Sequence, residues 1–506
     1  MGCEDFHRRR TVIVLTLPNR FRWVFCQLEA LRHCLPPSVR QMLDELPETL
    51  DETYERMLKE INKSKREHAH RLLQCITVAV RPLRIAELAE LLAVDFGTTS
   101  GGGVLKLNPN WRWEDQEQAV LSTCSSLIAV VVEDEDQVVQ FSHSSVKEFL
   151  TSPRLADSNP NISRFHIPLG SAHMILARAC LGTLLQLGDN VGPYNVKDRF
   201  PLVRYAAEHW VKHAQFEDVS SRLREGMEVL FDPDGPYFSA WIRVHDIDVK
   251  LTNLSTLPFY TWHYRSDAYK STPSPLYYAA LCGFRDLAEH LIDNRSQRVN
   301  VRGGNCVSPL QVALGNGHFK TAQLLYERGG DIHVSSYRRR TLLHASSVSG
   351  QIEIAQWLLD HGVDPHARQD NDWTPLHLAA NNGRLEIVRI LLQHNTDVNT
   401  RGDDCKTPLH LASQNWYSDV ARFLLEHGSE VNARDMDGST PLHLISQNKS
   451  PTGGYGPKPN DGRFEVARLL IEHGADIRAE NNEGKTPFQV ASGSDMVKLL
   501  SDLGAK

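Results

Sequence analysis

The stretch TPLHLAANNG (374–383) decides the fold of the C-terminal half, because the chain repeats it. Thirty-three residues later stands TPLHLASQNW (407–416), which agrees with it at seven of ten positions. Counterparts of the opening threonine occur at Ser274, Ser308, Thr341, Thr374, Thr407, Thr440 and Thr486. A fixed spacing of this kind is the mark of a chain built from stacked, similar units.

The 33-residue period and the pattern T-P-L-H-x-A resemble those of ankyrin repeats. Thr374 is placed to cap a first helix with its hydroxyl, and Pro375 suits the first helical turn. A second helix follows in LEIVRILL (385–392), whose apolar residues recur at helical spacing. One unit cannot bury its apolar face alone, so we expect an α-solenoid of about seven stacked units over residues 265–506.

Smaller signals within the repeats predict where chain direction changes. The glycines after His427 and His473 suit the left-handed residue that ends a helix. Asp437-Gly438 and Glu483-Gly484 predict the turns of projecting hairpin fingers. The last step between repeats is 46 residues, and its extra residues lie in NKSPTGGYGPKPNDG (448–462), which predicts a loop between the two helices of the sixth repeat.

Histidine recurs at the fourth position of the motif, as His344, His377, His410 and His443. The regularity indicates a structural role, and we expect each imidazole to tie the start of its helix to the adjacent loop.

The N-terminal half has a different pattern. Amphipathic helices are predicted over 46–80, a turn and a helix over 81–96, and helix, strand, acidic turn, strand and helix over 113–150. Helices followed by a two-stranded hairpin are typical of a winged helix. Further helices are expected at 172–181 and 205–214.

Four stretches, FRWVFCQLEALRHC (21–34), LPETLDETYERML, RPLRIAELAELLAV and FSHSSVKEFL, make residues 21–150 resemble the winged-helix segment of fungal NACHT proteins. The resemblance implies a STAND-type architecture, in which an NTPase domain precedes this module and repeats follow it. About twenty residues precede the first of these stretches, too few for a nucleotide-binding fold. We therefore expect a mostly α chain with a remnant or unstructured N-terminus at 1–20, a winged-helix domain at 21–155, a helical linker domain at 156–264 and the ankyrin repeats at 265–506.

The motifs that would indicate an enzyme are incomplete. AENNEGKT (479–486) has the end of a phosphate-binding loop but Ala479 in place of its first glycine. His209 and His213 are four residues apart, but the glutamate of the zinc-protease motif does not lie between them. His143 has no accompanying nucleophile motif, and G-x-S-x-G is absent from the sequence. We expect no catalytic, cofactor or metal site and a non-enzymatic protein.

Charge, cysteine content and hydropathy indicate which kinds of partner and which cell compartment are expected. The net charge is −7 and the pI about 6.4, and residues 133–136 at the expected wing tip are all acidic, which disfavours nucleic-acid binding. The nine cysteines are odd in number and form no C-x-x-C pair, as in a reducing compartment. No stretch has the ~18 apolar residues of a membrane span. The expected location is cytoplasmic, with the nucleus left open.

The function that this sequence favours is reversible binding of a protein partner, as an adaptor, scaffold or sensor. The alternatives are a truncated STAND receptor acting beside a motor-bearing relative and, least favoured, a DNA-binding regulator. Candidate contacts are finger charges and aromatic anchors, although a merely solvated finger surface remains an open alternative. They are Arg338, Arg339, Arg340, Asp370, Asp372, Trp373, Asp403, Asp404, Trp416, Tyr417, Asp435 and Asp437. Trp357, by contrast, is expected in the core.

Trp416 stands where the fourth repeat has Gly383, and a break in a local rule often marks function. Trp416→Ala is expected to weaken partner binding while leaving the melting temperature nearly unchanged. Affinity and thermal unfolding of the variant distinguish the two roles, because a large loss of stability at unchanged affinity would make Trp416 a packing residue.

Overall fold

The computed structural model describes residues 49–94, 111–112, 115–124, 126–133, 136–187, 200–247, 274–301, 308–334, 339–447 and 461–502. The chain divides into two compact units, residues 1–247 and 248–506. The stretch 21–34 that contributes to the winged-helix resemblance and the glycine-rich 97–103 lie outside the described residues.

The first unit begins with the helices and strands of the winged helix. A capping box between Thr49 and Glu52 starts the first helix, since each side chain bonds the backbone N–H of the other. The elements are α1 (Leu50–Glu60), a 3-10 turn (Lys63–Lys65), α2 (Arg66–Val78), β1 (Leu83–Arg84), α3 (Ile85–Leu92), α4 (Gln116–Cys124), β2 (Ile128–Glu133), β3 (Asp136–Phe141) and α5 (Ser144–Leu150).

The strands form one antiparallel sheet in the order β1-β3-β2. Strands β2 and β3 are the predicted hairpin, closing with Glu133 opposite Asp136. The short strand β1 was not predicted: Leu83 pairs with Val139 where the sequence indicated only a turn. Two residues are too few to show the alternation by which a strand is detected in a sequence.

Helices continue through the rest of the first unit. They are α6 (Pro153–Ala156), α7 (Pro160–Ser163), α8 (Leu169–Leu184), α9 (Val203–Ala214), α10 (Val219–Arg222), α11 (Arg224–Leu230) and α12 (Tyr237–Val244). Helix α8 packs against both α2 and α9, so this segment shares a core with the winged helix. Trp210, Phe231 and Trp241 are fully buried and in mutual ring contact at the centre of the second half of that core.

The second unit is a stack of seven helix pairs, as the 33-residue period predicts. The first helices are α13 (Pro275–Cys282), α15 (Pro309–Gly315), α17 (Leu342–Ser349), α19 (Pro375–Asn381), α21 (Pro408–Gln414), α23 (Pro441–Ser446) and α25 (Pro487–Val490). The second helices are α14 (Arg285–Asp293), α16 (Phe319–Glu327), α18 (Ile352–Asp360), α20 (Leu385–Gln393), α22 (Ser418–Glu426), α24 (Asp461–Glu472) and α26 (Ser494–Asp502). Residues 448–460 fall between α23 and α24, where the insertion was predicted.

The motif histidines join each repeat to the next, as the sequence analysis expected. His377 is fully buried, and its Nε2 lies 3.1 Å from the backbone oxygen of Lys406 in the following finger. A carbonyl oxygen only accepts, so Nε2 carries the proton and Nδ1 is the acceptor. That Nδ1 accepts the backbone N–H of Thr374 at 3.1 Å. His344, His410 and His443 make the same pair of bonds.

The threonine caps its helix as part of a capping box with the histidine three residues on. The Thr374 hydroxyl faces the backbone N–H of His377, as predicted, and it also lies 3.0 Å from His377 Nδ1. Because that nitrogen is an acceptor, the hydroxyl donates to it. Thr407 and Thr440 do the same with their own histidines. The same capping box is present at Thr341, Thr407 and Thr440, and at Thr341 the hydroxyl lies 3.4 Å from His344 N.

Burial also makes these imidazoles resist protonation. Desolvation lowers the pKa of His344, His377 and His410 to about 4, and it lowers the pKa of His443. The folded pKa lies below the unfolded value of ~6.5, so the unfolded chain binds more protons between about pH 6.5 and 4. Stability is fully present above this window and is lost as the pH falls through it.

We therefore expect thermal stability to drop between about pH 6.5 and pH 4, by up to ~1.4 kcal/mol per pH unit for each of these histidines. His377→Gln should flatten the dependence, because a glutamine amide donates without titrating; Gln311 already occupies the motif position in the second repeat. Circular-dichroism melts of both proteins across this range measure the effect. Parallel curves for the two proteins would contradict it.

Candidate protein-interaction surface

Four finger loops of the second unit form a continuous edge, which we call the fingertip strip: residues 369–373, 402–406, 435–439 and 481–485. Each loop is closed by two backbone hydrogen bonds, such as Asp435 N to Ser439 O at 3.0 Å and Gly438 N to Asp435 O at 2.9 Å. Gly438 and Gly484 hold the left-handed position of their turns with φ of 70°, as predicted. Asp372 and Cys405 hold the same position in the two earlier loops.

Neighbouring tips of the strip are bonded to one another. Asp403 N donates to Asn371 O, Met436 N to Asp404 O, and Asn482 N to Asp437 O, at 2.9–3.1 Å. Behind them, three arginines one period apart each donate from Nη1 to a backbone oxygen of the next finger. They are Arg368 to Arg401 O, Arg401 to Arg434 O, and Arg434 to Glu480 O. These bonds fix the spacing of the tips before any partner arrives.

The predicted carboxylates differ in whether they form ion pairs within the array. Asp370, Asp403 and Asp437 are exposed, and no ion pair involves them within the described residues. Asp372 lies 3.7 Å from Arg368, and Asp404 lies 3.2 Å from the ammonium of Lys406. One carboxylate on each of three successive tips is therefore available.

Asp435 does not belong to this surface, contrary to the sequence-based expectation. Its residue is only 7% exposed, and its Oδ1 accepts the backbone N–H groups of Asp437 and Ser439 at 3.0 and 2.8 Å. Desolvation raises the pKa of this carboxyl. Asp435 shapes its loop, while the tip next to it presents Met436, a residue the sequence analysis missed, at 64% exposure.

The three predicted arginines differ in exposure and in hydrogen bonding. Arg338 lies outside the described residues. Arg339 is exposed and has a positive φ of 57°. Arg340 is half-buried, and its Nε donates to Gln369 at 2.8 Å, so it supports the neighbouring finger.

The two tryptophans near the fingers and outer helices also depart from expectation. Trp373 is half-buried against Gly402, where a Cβ would come within 2.5 Å of its Cδ1. One side of this ring is therefore used inside the array. Trp357 was expected in the core but is half-buried on α18, in contact with Tyr326 of α16 and with the exposed His361. Its helical spacing fitted the buried stripe, but its position lies at the margin of that stripe.

Trp416 occupies the position that closes the first helix of its repeat. Its φ is 63°, in the left-handed region that Gly383 occupies one repeat earlier with 66°. The bonding is also the same: Trp416 N donates to Ser413 O and Tyr417 N to Ala412 O, which is the helix-ending arrangement of the glycine repeats. A tryptophan here keeps the turn but adopts a backbone conformation that side chains with a Cβ disfavour.

The following repeat explains why a side chain fits at this position. Tyr417 fills the space above Gly383, where a Cβ would lie 2.5 Å from its ring. In the sixth repeat the corresponding residue is Arg463, which instead donates to the backbone oxygens of Ile445, Ser446 and Ser492. Gly462 takes the place above Trp416, with a Cβ position 3.0 Å from the tryptophan oxygen. The fourth repeat thus has glycine below the tyrosine ring of the fifth, whereas the fifth has tryptophan below the glycine of the sixth.

Histidines singled out as catalytic or metal candidates have structural partners. His143 Nδ1 accepts the N–H of Ser145 and so caps α5. His213 is fully buried between Tyr205 Oη and His173 Nδ1, both at 2.9 Å, and burial lowers its pKa to about 3. In the part of the chain that the structure describes, no three metal-ligating side chains cluster. Nor does any helix among those residues have the length and apolarity to cross a membrane.

Two substitutions of Trp416 separate its side chain from its backbone strain. Both Trp416→Ala and Trp416→Gly remove the indole, but only glycine relieves the left-handed conformation. We expect the glycine variant to be more stable than the alanine variant by ~1 kcal/mol. Chemical unfolding of the pair measures this difference, and equal stabilities would show that the turn rearranges.

Comparisons with known proteins agree with this architecture. Models described as ankyrin repeats match residues 276–369, 311–402 and 342–435, and an ankyrin repeat model matches 437–482. A model described as the winged helix domain of GPI inositol-deacylase matches residues 54–162.

Individual proteins are similar over parts of the chain. The azaphilone pigments biosynthesis cluster protein L of Monascus ruber is 31% identical over 303 residues, 57% of this chain and 61% of the relative, so less than two thirds of that relative is spanned. The human ASB11 ankyrin repeat domain is 27% identical over 45% of this chain and 96% of that domain, with a TM-score of 0.39. The Bcl-3 ankyrin repeat domain is 24% identical over 46% and 99%, with a TM-score of 0.38. The chain carries a winged-helix domain of the GPI inositol-deacylase type followed by ankyrin repeats.

Proposed function

We propose that this chain is a non-enzymatic adaptor, scaffold or sensor that binds a protein partner along its fingertip strip. Ankyrin repeats indicate protein–protein interaction, and such architectures are typically non-catalytic. The proposal places the chain in the cytoplasm, with the nucleus as the alternative, and requires no cofactor, metal, membrane or nucleic acid. The division into an N-terminal stretch (1–20), a winged-helix domain (21–155), a helical linker domain (156–264) and ankyrin repeats (265–506) belongs to the same proposal.

One observation carries the proposal: the exposed carboxylates of Asp370, Asp403 and Asp437 recur on bonded, evenly repeated tips. Fixed tips lose little conformational entropy on binding, which favours them as a preorganised surface. These carboxylates, which have no ion pair among the described residues, together with the exposed Met436 suit a partner segment with basic residues around an apolar one. The charges would set orientation and association rate more than affinity.

The second docking element of the proposal is Trp416 with Tyr417, at the turn between helices. Both are half-buried, and desolvation raises the pKa of the Tyr417 hydroxyl. Their exposed parts are at the opposite end of the first helix from the finger, so a partner contacting both would have to span that helix.

A truncated STAND receptor acting beside a motor-bearing relative is the alternative. The resemblance of the N-terminal stretches to NACHT proteins favours it. A DNA-binding role is the least favoured, because the exposed Glu133 puts negative charge on the wing, where Asp136 is paired with Arg84.

The fingertip proposal predicts that a triple variant, Asp370→Asn, Asp403→Asn and Asp437→Asn, fails to retain a partner that the immobilised wild-type chain retains from cell extract. Loss of three charge pairs removes the steering and the salt dependence of binding. The matched control neutralises three exposed carboxylates of the outer helices, Asp419→Asn, Glu426→Gln and Glu472→Gln. Equal retention by both triple variants would contradict docking on the strip.

Nucleotide binding separates the adaptor from other classes. We expect no saturable ATP binding by calorimetry and no ATP turnover with the full chain. One ATP bound per chain would overturn the adaptor proposal.

A further inference from the structure

A cluster of aromatic residues lies on the outer helices of the second and third repeats, away from the fingers. Phe319 and Tyr326 of α16 meet the ring of Trp357 of α18 nearly at right angles, with centroids 5.8 and 5.1 Å apart. His361 packs against Trp357 at 4.5 Å and against Tyr326 at 4.9 Å. The first three are half-buried and His361 is exposed, and we call these four residues the aromatic patch.

An aromatic residue at the equivalent position of another repeat has an arginine over its ring. Sixty-six residues after Trp357, two repeats on, stands Phe423, with His427 at 3.9 Å just as His361 lies beside Trp357. The guanidinium of Arg389, from the preceding repeat, covers the Phe423 ring at 4.4 Å from its centroid. A cation over an aromatic face at this distance is attracted by the ring quadrupole.

The equivalent cation is missing at the aromatic patch. The residue sixty-six positions before Arg389 is Gln323, which is exposed and neutral. Gln323 is four residues from Phe319 and three from Tyr326, so all three lie on one stripe of α16, facing the side of Trp357. The second and third repeats therefore keep the aromatic half of this pair, enlarge it with two further rings, and omit the guanidinium.

Charges around the aromatic patch favour a cation from outside. Glu327 follows Gln323 by one helical turn, and Glu353 and Asp360 lie one turn to either side of Trp357. All three are exposed, and within the described residues none has an ion pair, although Asp360 accepts a hydrogen bond from Gln356. One cation, Lys320, lies one turn from Gln323 and opposes this field. The balance of the nearest charges is negative.

We propose that the aromatic patch binds an arginine side chain of a partner protein, which takes the place over Trp357 that Arg389 takes over Phe423. The site is separate from the fingertip strip, so it stands or falls independently of the function proposed above. Arginine is the side chain expected here, because its planar guanidinium both stacks on aromatic faces and pairs with carboxylates.

The test uses the full chain with 15N-labelled tryptophan, in which the Trp357 indole resonance is assigned by its loss in Trp357→Phe. The probe is N-acetyl-arginine methylamide, compared at constant ionic strength with its neutral citrulline counterpart. We expect a saturable shift of the Trp357 indole with the arginine probe and none with citrulline.

Opposite charges at position 323 distinguish binding from a structural disturbance. Gln323→Arg should fill the site from within and weaken probe binding about fivefold, whereas Gln323→Glu should tighten it. A disturbance of packing would move both variants in the same direction. Arg389→Gln is the matched control, which should leave the Trp357 response unchanged. No saturable shift, equal shifts with both probes, or an undiminished response in Gln323→Arg would each overturn the proposal.

Discussion

The bond from each motif imidazole to the finger of the next repeat is the contact on which the second unit depends. His377 Nε2 donates to Lys406 O, and His410 Nε2 donates to Ser439 O, at 3.1 Å each. One ring thus fixes the start of its own helix and the base of the following finger. Because the ring is fully buried, leaving either nitrogen without its partner would cost the full desolvation of that group. Helix position and finger position are therefore not independent.

Because of this coupling, the positions of the fingertip loops depend on the buried helices. The backbone oxygens that accept from the imidazoles belong to the loops whose tips bond to one another. The oxygens that accept from Arg368, Arg401 and Arg434 belong to the residue just before each of three of these loops. Some tip side chains also hold the strip together: Asp435 and Asn481 each accept two backbone N–H groups of their own loop, and Asn482 Nδ2 donates to Met436 O on the neighbouring tip. The exposed side chains of Asp370, Asp403, Met436 and Asp437 can change without loss of the fold, which is the division between scaffold and recognition surface that a binding protein needs.

Much of this fold follows from the sequence, because its information is periodic. The spacing of the T-P-L-H motifs predicts the seven helix pairs, and Gly428, Gly438 and Gly474 have the positive φ that their places in the pattern require. What the sequence did not predict depends on how side chains pack once the chain is folded. Whether Trp357 is core or margin depends on Tyr326 in the preceding repeat, and the burial of Asp435 depends on how its loop folds back on itself. The arginine row recurs every 33 residues and was detectable, but its role needed the position of the next finger.

The first two repeats lack the motif histidine, so the array differs in acid sensitivity along its length. Position four of the motif is Tyr277 in the first repeat and Gln311 in the second, and neither changes charge in mildly acidic solution. In the third to sixth repeats the same position is an imidazole that loses its donor–acceptor arrangement when protonated, and in the seventh repeat it is Gln489. An acidic environment would therefore loosen the interfaces that carry the fingertip strip while those at the start of the array remain intact. Acid would then destabilise the repeats that carry the fingertip strip before it destabilises the first two repeats.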